Sequence, residues 1–260
     1  MALGSRNTVS AVAEHDIITG ALCGTGRFAL GLEGGYGASL LQVFMPDGEL
    51  QYEYPFSSDY ITAIALNYDG SMGAVCTVQA QRGEMVSKLT IFDFTSPDPV
   101  AQYESRGNLL LAAQWGENGV IYAVGDAALV SGKSSDYQFS EYDYQGRQLT
   151  SFHIGAGRVF LSASSYELAG PSILLVYNGN EAFGENNPVR IERSERIESI
   201  STFGGVVGIL EGDQIAFCDY TTGMELGTAQ AGGDAKSLAL MNERTAYVLG
   251  VSEIRVVSAE

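Results

Sequence analysis

The chain repeats itself, and a repeat limits the possible folds more than any single residue does. Three segments align without gaps: 17–32 (IITGALCGTGRFALGL), 61–76 (ITAIALNYDGSMGAVC) and 110–125 (LLAAQWGENGVIYAVG). Each reads as an apolar strand, a turn carrying Gly26, Gly70 or Gly119, and a second apolar strand. The same phase returns at 235–250, where Arg244 takes the glycine position. It also returns in shortened form at 197–210 and in lengthened form from Val159 to Val176. Unit starts therefore fall near 17, 61, 110, 159, 197 and 235, separated by 38 to 49 residues.

Each unit continues into a hairpin. SLLQVFMPDGELQYEY, KLTIFDFTSPDPVAQY, QFSEYDYQGRQLTSF and QIAFCDYTTGMELGT alternate large and small side chains around a turn. Asp47-Gly48, Gln145-Gly146 and Thr222-Gly223 supply the positive-φ residue that a tight hairpin needs, and Pro97-Asp98-Pro99 makes a longer turn. Alternation at Leu89, Ile91, Phe92 and Phe94 puts large side chains on both faces of a strand, which suits a sheet covered on both sides.

Four strands in each of six units predict an all-β fold, a six-bladed β-propeller. The sixth unit runs out after IRVVS (254–258), one strand short, whereas the stretch NTVSAVAEHD (7–16) precedes the first unit unassigned. A propeller must close its ring or leave an edge open. The two leftovers predict that residues 7–14 form the outer strand of the last blade. On this reading residues 1–6 are a linker, MALGS a vector-derived remnant among them, and residues 7–260 one domain.

Composition agrees with many short strands and turns: 32 glycines, 14 tyrosines and only three lysines, Lys88, Lys133 and Lys236. A net charge of −17 argues against nucleic acid or an anionic membrane surface as partner, since both demand a basic footprint. Three widely spaced cysteines, Cys23, Cys76 and Cys218, make neither a C-x-x-C pair nor an even disulfide framework. Cys76 and Cys218 lie in apolar runs and read as small core residues, and no disulfide is expected among the three. No apolar run reaches the length of a membrane span, so this segment is not expected to insert directly. The irregular fourth unit carries a long polar loop (178–188), followed by VRIERSERIE, whose alternating charges read as a solvated strand face.

The units resemble the WD40, YVTN and quinoprotein-like propeller repeats over nearly the whole chain. CDYTTGMELG (218–227) is the nearest single motif, similar to the D-x-x-T-G-x-x-L turn of quinoprotein-type blades. The chain departs from those patterns: no Trp follows Leu226, no unit ends in Trp-Asp, and no Gly-His pair opens one. A quinone cofactor and the WD40 hydrogen-bond tetrad are thus not implied. The pattern also looks like uncharacterised bacterial propellers that follow an N-terminal membrane anchor. That likeness implies an extracytoplasmic, anchored location, with a cytoplasmic one as the alternative.

Catalytic constellations are sparse. The histidines are His15 and His153, and a Ser/His/Asp triad would have to use one of them. G-x-S-x-G and the phosphate-loop pattern are absent, and GTGRFALG lacks the helix a dinucleotide fingerprint requires. Asp69-Gly70 reads as a turn rather than a calcium loop. Among 31 acidic residues a paired-carboxylate site is possible in principle, but spacing along the chain cannot assemble it.

One constellation follows from the repeat. The residues just before the innermost strands are Asp16, Tyr60, Leu109, Arg158, Arg196 and Asp234, and in a propeller they ring one mouth of the channel. His15, Asp59, Arg106, Asn108 and Lys236 lie close to them in sequence. The expected ligand-binding rim is Asp16, Tyr60, Arg158, Arg196, Asp234 and Lys236, with Arg158 and Arg196 converging on a small anion. The sequence thus predicts a monomeric, cofactor-free, metal-free binding or scaffold module for a protein, peptide or glycan. The alternative is a hydrolase or lyase acting on a polar or anionic substrate at the channel mouth.

Overall fold

The computed structural model describes residues 12–106, 109–115, 119, 121–126, 137–142, 148–154, 158–161, 165–169, 173–178 and 189–260. Its regular structure is strand, arranged in antiparallel sheets that follow chain order. Two compact units divide the chain, residues 1–155 and 156–260.

The first unit holds three four-stranded sheets. Sheet one is β1 (Ile17–Leu22), β2 (Phe28–Glu33), β3 (Ser39–Phe44) and β4 (Leu50–Phe56). Sheet two is β5 (Tyr60–Leu66), β6 (Met72–Gln81), β7 (Glu84–Asp93) and β8 (Ala101–Ser105). Sheet three is β9 (Leu109–Trp115), β10 (Ile121–Asp126), β11 (Tyr137–Tyr142) and β12 (Gln148–Ile154). The second unit holds sheet four, β13 (Arg158–Leu161), β14 (Ser165–Ala169), β15 (Ile173–Asn178) and β16 (Val189–Glu192). Sheet five follows as β17 (Ile197–Phe203), β18 (Val206–Glu211), β19 (Gln214–Asp219) and β20 (Glu225–Gln230). Sheet six has three strands among the described residues, β21 (Ser237–Asn242), β22 (Thr245–Leu249) and β23 (Ile254–Ser258).

The repeat is therefore a meander of sequential antiparallel neighbours, and its first strands begin within two residues of the six expected starts. The turn glycines hold the backbone conformation the alignment requires: φ is +88° at Gly26, +70° at Gly70 and +77° at Gly119. Gly48 and Gly223 do the same in the downstream hairpins, whereas Gln145-Gly146 lies outside the described residues.

Packing explains the alternation. Along β7, Phe92 (and Phe94 just beyond it) joins Leu41, Val43, Tyr52 and Phe56 of sheet one in a buried layer. Leu89 and Ile91, pointing the other way, join Leu110, Trp115 and Ile121 of sheet three. Sheet two is thus apolar on both faces, and the edge-to-face contacts of Tyr54 and Phe56 with Phe92 add ring geometry to area burial. In the second unit, Ile191 of sheet four packs with Val207, Ile209 and Cys218 of sheet five. Leu210, Ile215 and Phe217 of sheet five meet Leu238, Ala246 and Val248 of sheet six.

The sheets are also stitched through side-chain oxygens. Ser39 Oγ accepts the N–H of Ile61 at 2.9 Å and Ser87 Oγ that of Leu110 at 2.9 Å, both bonds buried. Ile61 and Leu110 are equivalent positions of the repeat, so one third-strand serine per junction satisfies the first strand of the next sheet. In the second unit Ser199 and Ser201 accept from Leu238 and Leu240 at 3.3 and 2.9 Å. The three thiols are buried and free, and burial pushes that of Cys76 up to about 12.

Two expectations meet different outcomes at the margins. Val12–Glu14, the tail of the expected closing strand, is irregular, and residues 7–11 lie outside the described set. The charged stretch after β15 does not present every charge to water. Arg190 and Glu192 form an exposed pair at 2.8 Å, but Arg193 turns inward to Glu211, which is 4% exposed.

Candidate functional site

The expected rim residues fall in both units, and each unit places its own. In the first, Asp16 precedes β1 as an exposed residue whose carbonyl accepts the Glu33 N–H at 2.9 Å. Tyr60 opens β5 with more than half its surface exposed, whereas Leu109 opens β9 as a buried residue. Lys88 Nζ lies 2.9 Å from Asp59 Oδ1, close in distance but poorly aligned for a hydrogen bond. Arg106 is taken up by Glu104 at 2.6 Å, Glu84 at 3.4 Å and the Gln81 side-chain oxygen at 2.9 Å. Asn108 lies outside the described residues.

In the second unit, Arg196 precedes β17 and is exposed, as is Lys236 just before β21. Arg158 opens β13, and its side chain, on which convergence with Arg196 depends, lies outside the described set. Asp234 is engaged by β23 and by the turn before it: Arg255 Nη2 donates to it at 2.5 Å and the Val251 N–H at 3.2 Å. The Arg255 hydrogen bond holds the Asp234 carboxyl below the usual carboxylate range. Asp234 is thus a tie within sheet six rather than a free rim acid.

The geometry builds a concavity that the repeat alignment did not single out, at the end of sheet one beside Asp16. A cleft of about 300 Å³ is lined by His15, Gly34, Gly35, Tyr36, Gly37, Ser39, Leu40, Pro55, Phe56 and Ser57. Topology sets its place: the segment entering β1, the loop from β2 to β3 and the exit from β4 all lie at one end of the sheet. Leu40 pairs with Pro55 and Ser39 with Phe56, so the β3–β4 edge supplies an apolar wall.

The loop residues Gly34-Gly35-Tyr36-Gly37 are held in close quarters. A Cβ on Gly34 would lie 2.6 Å from the Gly37 carbonyl oxygen, and one on Gly37 would lie 2.6 Å from that of Phe56. At Gly35 it would press on the His15 imidazole, 2.8 Å from Cε1 and 2.9 Å from Nε2. The Gly34 N–H donates to the Ala38 carbonyl and the Ala38 N–H to that of Phe56. Those two bonds pin the loop base while Tyr36, at its tip, stands fully exposed. The N–H groups of Gly35, Tyr36 and Gly37 make no hydrogen bond among the described residues. Three donors that make no bond among the described residues and an exposed aromatic ring thus border an apolar cleft, an arrangement suited to holding an acceptor-bearing ligand with an apolar part. The sequence signal for it was the G-G-Y-G run itself, which periodicity treats merely as a connection.

One ion cluster among the described residues is structural and largely withdrawn from water at Arg193 and Glu211. Arg193 donates from Nε to Glu211 at 3.0 Å and from Nη1 to Glu225 at 2.8 Å, and Nη2 also reaches Glu211. It ties the end of sheet four to β18 and β20 of sheet five. Among the described residues no group of three or more His, Cys, Asp and Glu side chains could hold a metal, and no helix is long and apolar enough to cross a membrane.

A family model described as a family of unknown function, DUF5711, matches residues 4–195. No curated protein matches the chain.

Proposed function

We propose, for a chain that belongs to the DUF5711 family of unknown function, the role of a non-catalytic binding module whose contact site is the cleft at the end of sheet one. The single observation that carries this reading is the pinned Gly-Gly-Tyr-Gly loop, which displays Tyr36 fully exposed beside backbone donors unused among the described residues and apolar lining residues. Exposed aromatic residues held on rigid supports are favourable anchors, because little side-chain freedom is lost when a partner covers them. A protein, peptide or glycan partner would satisfy the donors and stack on the ring.

The scaffold, in this proposal, is a six-bladed propeller closed by the N-terminal stretch. Six consecutive meander sheets at a regular period support it, as do the serine stitches joining neighbouring sheets within each unit. The third strand of sheet six supports the closure. β23 has a neighbour on one side among the described residues, with Ile254 46% and Val256 60% exposed.

Peptide and glycan arrays probed with the labelled protein and with Tyr36→Ala test the site. Signals lost in the variant support the cleft, whereas signals equal in both overturn it. A captured ligand recovered chemically altered would overturn the non-catalytic part.

A further inference from the structure

The cleft sits in a chemically divided neighbourhood. Its described lining residues include no carboxylate, and among them Leu40 and Pro55, cross-strand partners on one face of the sheet, are apolar. Three exposed acids, Glu14, Asp16 and Glu33, border it in sequence: two flank His15 and the third precedes the glycine loop. The whole chain carries a net charge of −17. An anionic ligand would meet the loop donors only after crossing that field, and a cation is favoured in approach.

We infer that the cleft takes a peptide segment in which an apolar side chain stands next to Lys or Arg; this rests on the reading of the cleft as the contact site. A volume of about 300 Å³ admits an apolar side chain with part of its backbone. That side chain seats against Leu40 and Pro55, with Tyr36 closing over it. The peptide carbonyls on either side accept from the N–H groups of Gly35, Tyr36 and Gly37 that make no bond among the described residues. The neighbouring basic side chains reach outward to Glu14, Asp16 and Glu33. A glycan would use the ring and the donors but would make nothing of the three acids.

The test uses fluorescence anisotropy with the full chain and four probes. Three are the labelled peptides Gly-Arg-Leu-Lys-Gly, Gly-Glu-Leu-Glu-Gly and Gly-Arg-Gly-Lys-Gly, and the fourth is a neutral labelled oligosaccharide. The first should bind best, weaken about tenfold with Tyr36→Ala, and weaken again as salt shortens the Debye length. Asp16→Asn/Glu33→Gln should remove most of that salt dependence. Tyr68→Ala, an exposed tyrosine at the opposite end of sheet two, should change nothing. Equal binding of the glutamate peptide, failure of the Arg-Leu-Lys peptide to bind, or absence of a salt effect would overturn the inference. A Tyr36-dependent oligosaccharide signal would also overturn it while leaving the cleft as the contact site. A bound probe indifferent to Tyr36→Ala would overturn both.

Discussion

At the residue scale, the charges that matter most for stability are those that leave water. Arg193 and Glu211 are 13% and 4% exposed in their side chains, and the Glu211 hydrogen bond raises the guanidinium pKa above its ordinary value. Arg193→Met should cost about 3–5 kcal/mol, because it strands a carboxylate in a buried site. Arg193→Met/Glu211→Leu should cost clearly less, and urea melts of the three proteins would measure the difference. The exposed turn aspartates behave differently. Asp69, Asp93 and Asp219 each accept from a Ser or Thr two residues on, through its hydroxyl and its N–H. Those bonds lower each carboxyl pKa from its ordinary 3.8. A carboxyl with a lower pKa in the folded state contributes stability above its unfolded pKa, and the contribution fades as pH falls through the folded one. The melting temperature should therefore drop as pH is taken below about 4. The decline should be shallower in Asp69→Asn/Asp93→Asn/Asp219→Asn, followed by circular dichroism.

At the element scale, neighbouring sheets are fastened by single buried hydroxyls at equivalent repeat positions. Ser39→Ala leaves the buried Ile61 N–H without an acceptor, and Ser87→Ala does the same to Leu110. Each should cost about 1–3 kcal/mol, read as a lowered denaturation midpoint with an unchanged slope. Being at different junctions, the two should add. These serines also mark the boundary of what pattern reading can see. Strand order and turn places were legible because apolar alternation and glycine punctuation are set locally by backbone sterics: Gly26, Gly70 and Gly119 all hold positive φ where the alignment put them. The serine acceptors were not, since a hydroxyl in a strand looks the same whether it faces water or a neighbouring sheet. Arg193 was misread for the same reason, its inward turn depending on an acid 18 residues away. The cleft was half legible. His15 and Asp16 stood out by their place before β1, but the glycine loop and Phe56 meet only because β3 and β4 pair in register.

At the scale of the whole molecule, the question is what completes sheet six. Among the described residues five sheets have four strands, and β23 ends the sixth as a third strand whose Ile254 and Val256 are exposed on one face while Arg255 and Val257 face inward. β23 also has no partner on its outer backbone edge among the described residues, and an open strand edge invites pairing with another chain unless something covers it. The proposed cover is the stretch around residues 7–11, so deleting residues 1–11 should lower the melting temperature and promote association, while sparing His15 and the cleft. Truncation alone would not identify the place where the segment docks, and a second substitution supplies that. Val256→Lys puts a charge on the exposed face of β23. If the N-terminal stretch packs there, the substitution should destabilise the intact chain by about 1–2 kcal/mol and the truncated chain hardly at all. The coupling between the two changes, measured by chemical denaturation and by sedimentation for the associated fraction, reports contact between the two ends of the chain. Independent, additive effects would place the N-terminal stretch elsewhere and leave sheet six with three strands.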